Sequence, residues 1–178
     1  AGVDVFDKKL KTFSHFVHDA QDPGSLSSND VGRMVLDRSG TLWISAYAGG
    51  GVNKHTPLNK HLTSYTLETG RSEGLPPGEI QDLIEEGTGT LWIGTQNGLV
   101  SFDPKTQKFF RHPPHSDVHR IVEDNAGTLW IAVWTGVAGE RGLYRRDRQG
   151  RLTRFRDSAG NIFRNLVTTM FNSRDGGL

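Results

Sequence analysis

Three histidines, His112, His115 and His119, are the residues most able to do chemistry in this chain. Imidazoles set this close together bind a metal when the backbone aims their ring nitrogens at one point. Here they straddle Pro113-Pro114 and run into a strand-like segment, so no fixed facial geometry follows. No carboxylate is placed to complete a set, and no metal site is assigned. The carboxylate pairs Glu85-Glu86 and Glu123-Asp124 each stand just before a turn. That position suits capping of a hairpin by acceptance of backbone N–H groups better than paired acid–base work. There is no Gly-x-Ser-x-Gly elbow, no phosphate-cradling glycine loop and no dinucleotide fingerprint. Cysteine is absent, which removes disulfides, thiolate metal sites and cysteine nucleophiles. The sequence therefore points to no catalytic residue and to no cofactor.

Binding chemistry has a better candidate. Tyr47, Gln96 and Trp134 each lie three residues beyond an isoleucine that recurs in the same five-residue cassette. Two of the three are aromatic and fall on turns, where core packing does not require a ring. Aromatic faces beside polar groups suit sugars, which present apolar C–H patches together with hydroxyls. Glu140 and Arg141, in an expanded loop after Trp134, could add hydrogen bonds to such a ligand. The plainer alternative is that Tyr47 and Trp134 simply cover strand ends.

These positions are set by a repeat. Gly40-Thr41-Leu42-Trp43-Ile44 recurs as Gly89-Thr90-Leu91-Trp92-Ile93 and as Gly127-Thr128-Leu129-Trp130-Ile131. Each copy follows a short apolar, β-branched lead-in with an acidic end: Val31 to Asp37, Ile80 to Glu86 and Val118 to Asp124. A second glycine and another strand-like run come after it. The units are spaced loosely, so their variation belongs in loops. Asp103-Pro104 is a strong type I turn signal, and residues 19–30 are turn formers that read as a surface connection.

Composition agrees with many short strands. Glycine is high at 22 residues, apolar content is 34%, and mean hydropathy is −0.50. With 21 basic and 20 acidic residues the net charge is +1, so nothing argues for nucleic acid as a partner. The arginines between Arg141 and Arg156 mostly alternate with apolar positions and read as the wet side of strands. No apolar run is long enough to span a bilayer, and direct membrane contact is not expected. No window carries the spacing of an amphipathic helix over three turns without Gly or Pro.

Four short antiparallel strands per unit, repeated every ~40–50 residues, predict an all-β fold built from β-propeller blades. One such unit cannot bury both faces, so blades stack, and the cassette tryptophans Trp43, Trp92 and Trp130 fill the space between neighbours. Whole blades are expected over 31–67, 80–112 and 118–156. The back half of a blade is expected over 1–18 and the front half of another over 162–178, about four blades in all. Both ends then read as cuts through a longer array, leaving open strand edges that favour self-association.

The stretch from Ile80 to Asp103, with Leu91-Trp92-Ile93-Gly94-Thr95, Gly98-Leu99 and Phe102-Asp103, resembles the two-component regulator propeller repeat. Asp22-Pro23-Gly24-Ser25-Leu26-Ser27-Ser28-Asn29 is similar to the linker that introduces such repeats. Units one and three depart from it, with Ser45-Ala46 and Ala132-Val133 in place of Gly-Thr. The resemblance implies the periplasmic sensor half of a hybrid histidine kinase, non-catalytic in itself and associated with oligosaccharide detection. A protein-binding scaffold and a propeller lyase or lactonase are the rival readings.

Overall fold

The computed structural model describes residues 2–47, 49–56, 61–66, 74–134, 139–163 and 166–173. All of its regular elements are strands. A two-stranded sheet pairs β1 (Val3–Asp7) with β2 (Thr12–Phe16). Three four-stranded antiparallel meanders follow. The first holds β3 (Val31–Leu36), β4 (Leu42–Ala46), β5 (Gly51–His55) and β6 (Thr63–Tyr65). The second holds β7 (Ile80–Glu85), β8 (Leu91–Thr95), β9 (Gly98–Asp103) and β10 (Lys108–His112). The third holds β11 (Val118–Glu123), β12 (Leu129–Val133), β13 (Gly142–Arg146) and β14 (Leu152–Arg154). Sequence-adjacent strands are neighbours throughout, as blades of a propeller require.

The three hairpins that open the meanders are shaped by one device. Asp37 accepts the turn amides of Ser39 and Thr41 on one carboxylate oxygen, and the Nε1–H of Trp43 at 2.8 Å on the other. Asp124 takes the amides of Ala126 and Thr128 and the Trp130 indole, again at 2.8 Å. Glu86 receives the Trp92 indole at the same distance. The turn glycines Gly40, Gly89 and Gly127 have φ of 82°, 89° and 75°, a region that a side chain enters only with strain. Burial pushes the Asp37 and Asp124 carboxyls up, yet the hydrogen bonds they accept outweigh it and hold both below the usual value.

Alternation along the second strand of each meander then sends Leu and Ile to one face and Trp to the other. Leu91 and Ile93 pack with Trp43 in the layer between the first and second meanders. Leu129 and Ile131 pack with Trp92 between the second and third. Ile44 and Leu42 meet Val3 and Phe16 of the two-stranded sheet. Trp43 and Trp92 are buried, whereas Trp130 faces outward from the third meander and is half-buried against Phe155. The residue 19–30 connection, expected on the surface, instead drives Leu26 fully into this core. The Ser27 amide hydrogen bonds to the buried Asn53 carboxamide.

The first strands of adjacent meanders lie side by side, and there the sheets converge on a common axis. Gly94 of β8 sits against this junction. A methyl group built on it would stand 2.5 Å from the Val118 carbonyl oxygen of the next sheet. Gly94→Ala is therefore expected to destabilise the fold by about 1–3 kcal/mol in urea denaturation, because backbone must give way. An unchanged midpoint would mean that the sheets can part without cost.

Beyond Arg156, which bridges to Ile162, residues 166–173 form no strand. Of the expected front half-blade over 162–178, residues 164–165 and 174–178 lie outside the described residues.

Candidate functional site

Each first strand breaks its apolar alternation with two consecutive non-apolar residues: Gly32-Arg33, Gln81-Asp82 and His119-Arg120. The pairing register shifts at that point in all three, between Val31 and Met34, Ile80 and Asp82, and Val118 and Arg120. A bulge of this kind turns side chains out of the ladder and re-aims them. Because the three strands meet at the axis, three bulges from three repeats gather polar groups in one place.

The mouth they form is a cavity of about 360 Å³ lined by Arg33, Tyr47, Gln81, His119 and Arg120, among others. Asp82 lies buried behind this wall, 4% exposed. Its carboxylate accepts the amide of Ile121, on the next sheet, at 2.9 Å. Arg33 Nε and Arg120 Nη1 both stand 3.5 Å from the same oxygen, Oδ1. One acid thus joins strands of three successive sheets. Burial pushes its carboxyl up to about 6, against the opposing pull of the Ile121 amide and the Arg33 charge. Buried acids displaced in this way occur both at working sites and in structural ion-pair networks.

Aromatic groups flank these charges. Trp134 stacks on the His119 imidazole with ring centroids 3.3 Å apart and planes 17° from parallel, and its Nε1–H donates to the Val167 carbonyl. Burial lowers the His119 imidazolium pKa, and nearby Arg33 acts in the same direction, against the pull of Asp117. Tyr47 lies over Gly32, where an added methyl would come within 2.9 Å of its ring.

The structure thus brings Tyr47 and Trp134 to the axial mouth, the first directly and the second through His119. Gln96, at the equivalent rim position, is turned to Glu79: it accepts the Glu79 amide at 3.2 Å and donates to its carboxylate at 3.1 Å. The Glu140 carboxylate accepts the Ser116 hydroxyl, and the Arg141 carbonyl accepts from Arg154. Neither Glu140 nor Arg141 lines the mouth, and part of the expanded loop, 135–138, lies outside the described residues. The three clustered histidines separate. His112 bonds Ser101 and packs on Trp92, His115 is exposed, and His119 lies under Trp134. No group of three or more metal-ligating side chains is present among the described residues.

Comparison with known proteins follows the same lines. Residues 74–97 match the two component regulator propeller family. The extracellular domain of BT4673 from B. thetaiotaomicron, described both as a putative one component and as a putative hybrid two component system, superposes with a TM-score of 0.73 at 19% and 18% identity in its two structures. That likeness covers 98% of this chain and 23% of BT4673's, so the chain spans under a quarter of its relative. A catalytically inactive virginiamycin B lyase from Staphylococcus aureus, solved with quinupristin, matches with a TM-score of 0.56 at 13% identity over 83% of this chain and 46% of the lyase chain. At these identities the likeness establishes the propeller fold. No curated protein matches the chain by sequence. No helix among the described residues is long and apolar enough to cross a membrane.

Proposed function

We propose, from a two component regulator propeller repeat at residues 74–97 and the axial mouth beside it, that this chain is a ligand-recognising segment of a two-component sensor. It works on the periplasmic side, as part of a sensor anchored in the inner membrane, and carries no catalysis of its own. The ligand is an oligosaccharide, and a linked histidine kinase receives the signal. The observation that carries this reading is the convergence of Tyr47, Arg33, His119 with its Trp134 partner, and Arg120 on one cavity. Rings offer a face to sugar C–H groups, while guanidinium and amide groups bond hydroxyls. The blades are the rigid support, and ligand seated across β3, β7 and β11 would bias how neighbouring blades sit. Such a bias between sheets is what a linked kinase can read.

A glycan array probed with the chain and with its Tyr47→Ala/Trp134→Ala double variant tests this. The expected result is binding to a restricted set of oligosaccharides that the double variant loses by about tenfold or more, equivalent to ~1.4 kcal/mol. Equal binding by both proteins removes these two side chains from the site.

The likeness to virginiamycin B lyase supports a second reading, a propeller lyase. Assaying the chain for turnover with and without chelator separates the two readings.

A further inference from the structure

We propose that the axial mouth is built for an acidic saccharide, one whose oxyanion bridges Arg33 and Arg120 while its ring lies along the His119–Trp134 stack. The inference rests on the recognition reading above and narrows the ligand class.

The charge balance at the mouth carries it. Its wall presents Arg33, His119 and Arg120 and, among the described residues, no carboxylate. Asp82 is the counter-charge to both arginines but sits behind them, with its second oxygen engaged by the Ile121 amide. Asp117 faces His119 from the segment before β11. Two guanidiniums therefore face the cavity, while the acids near them, Asp82 behind and Asp117 beside His119, stay off its wall.

The bonds holding the arginines are also loose. Arg120 reaches Asp82 at 3.5 Å and the Thr168 carbonyl at 3.4 Å, both at the outer limit of a hydrogen bond, and its buried Nε–H has no acceptor among the described residues. Arg33 touches Asp82 at 3.5 Å with about half of its side chain in solvent. Guanidiniums with unfilled donors bind carboxylate and sulfate in paired, short contacts, which neutral hydroxyls cannot match. Two that share one carboxylate oxygen are near enough to each other for a single oxyanion to span both. Arg33 and Arg120 lie on first strands two repeats apart, with β7 between them. A bridging ligand would tie the first sheet to the third, on the opposite side of the arginines from the existing Asp82 clasp.

The test is calorimetric titration of the chain with trigalacturonate, with the same trisaccharide after reduction of its carboxyl groups, and with a sulfated neutral disaccharide. Trigalacturonate should bind at least tenfold more tightly than its reduced form and weaken as salt rises. Arg33→Gln and Arg120→Gln should each lower that affinity about tenfold. Binding of the sulfated disaccharide with the same arginine dependence would support the proposal with sulfate as the anion source. Equal affinity for the charged and reduced trisaccharides, or unchanged affinity in Arg33→Gln, overturns it while leaving saccharide recognition standing. Failure of every charged and neutral saccharide overturns both. Thermal melts of each variant separate lost contact from lost fold. Should Arg120→Gln not fold, the half-exposed Arg33 position decides the question by itself.

Discussion

Trp92→Ala is expected to lower the unfolding free energy by about 3–5 kcal/mol, and Trp130→Ala by about 1–2 kcal/mol. The two indoles occupy the same place in the repeat and make the same 2.8 Å bond to a hairpin carboxylate. They differ in what lies beyond them. Trp92 is 2% exposed and enters a layer with Val118, Ile121, Leu129 and Ile131 of the next sheet. The Arg146 guanidinium lies 4.6 Å from its ring, and the His112 ring 4.9 Å. Truncation removes these contacts, opens a cavity that two sheets cannot close, and leaves buried Glu86 without its indole partner. Trp130 is half-buried and meets Phe155 at the face of the third meander. Urea denaturation of the two variants is the measurement. Equal losses would mean that the indoles act through their hairpins alone and not as wedges between sheets.

Asp82→Asn should raise stability at pH 7.5 by about 2–3 kcal/mol, the amount that follows from a carboxyl moved from 3.8 in the unfolded chain to about 6 in the folded one. The sign comes from the proton count. Between about pH 4 and pH 6 the folded chain keeps a proton on Asp82 that the unfolded chain has released. Stability from this group is complete below that window, falls as pH rises through it, and is level above it. Asparagine is never charged, and its carbonyl still accepts the Ile121 amide, so the variant lacks this fall. The opposing terms are the loss of the Leu83 amide bond, 3.1 Å to the oxygen that becomes NH2, and of the contacts to Arg33 and Arg120, both long at 3.5 Å. His119, which also faces the mouth, titrates in both proteins and cancels in the comparison. Melts of both proteins from pH 4 to pH 8 read the difference directly. A variant less stable than the parent at pH 7.5 would show that the arginine pairs outweigh the cost of burying the acid.

The cassette was legible because its chemistry is local. An acid, a tight turn with glycine and a tryptophan within seven residues, 37–43, specify a hairpin through bonds that cross no other part of the chain. Alternation around Leu42-Trp43-Ile44 then assigns faces, and stacking follows from two apolar faces per sheet. The axial site was not legible in the same way, since Arg33, Asp82 and Arg120 meet only when three repeats converge. Its trace in the sequence is the broken alternation at Gln81-Asp82 and His119-Arg120, which marks a bulge without saying what the bulge faces. Rim positions that are equivalent in the repeat diverge for a related reason. Glu79 is within reach of Gln96 and captures it, whereas Trp134 finds the His119 ring. The burial of Leu26 leaves no mark in the sequence because its neighbours in the 19–30 segment are almost all polar or turn-forming, and one large apolar residue among them carries no period.

The bond from each indole to the acid six positions before it has a bearing on how the chain reaches its native state. Such a contact closes a very short loop at little entropic cost, so each hairpin can form early and is made stable when a neighbouring sheet stacks on it. Nucleation then has no obligatory starting point, and growth can spread in either direction from whichever unit forms first.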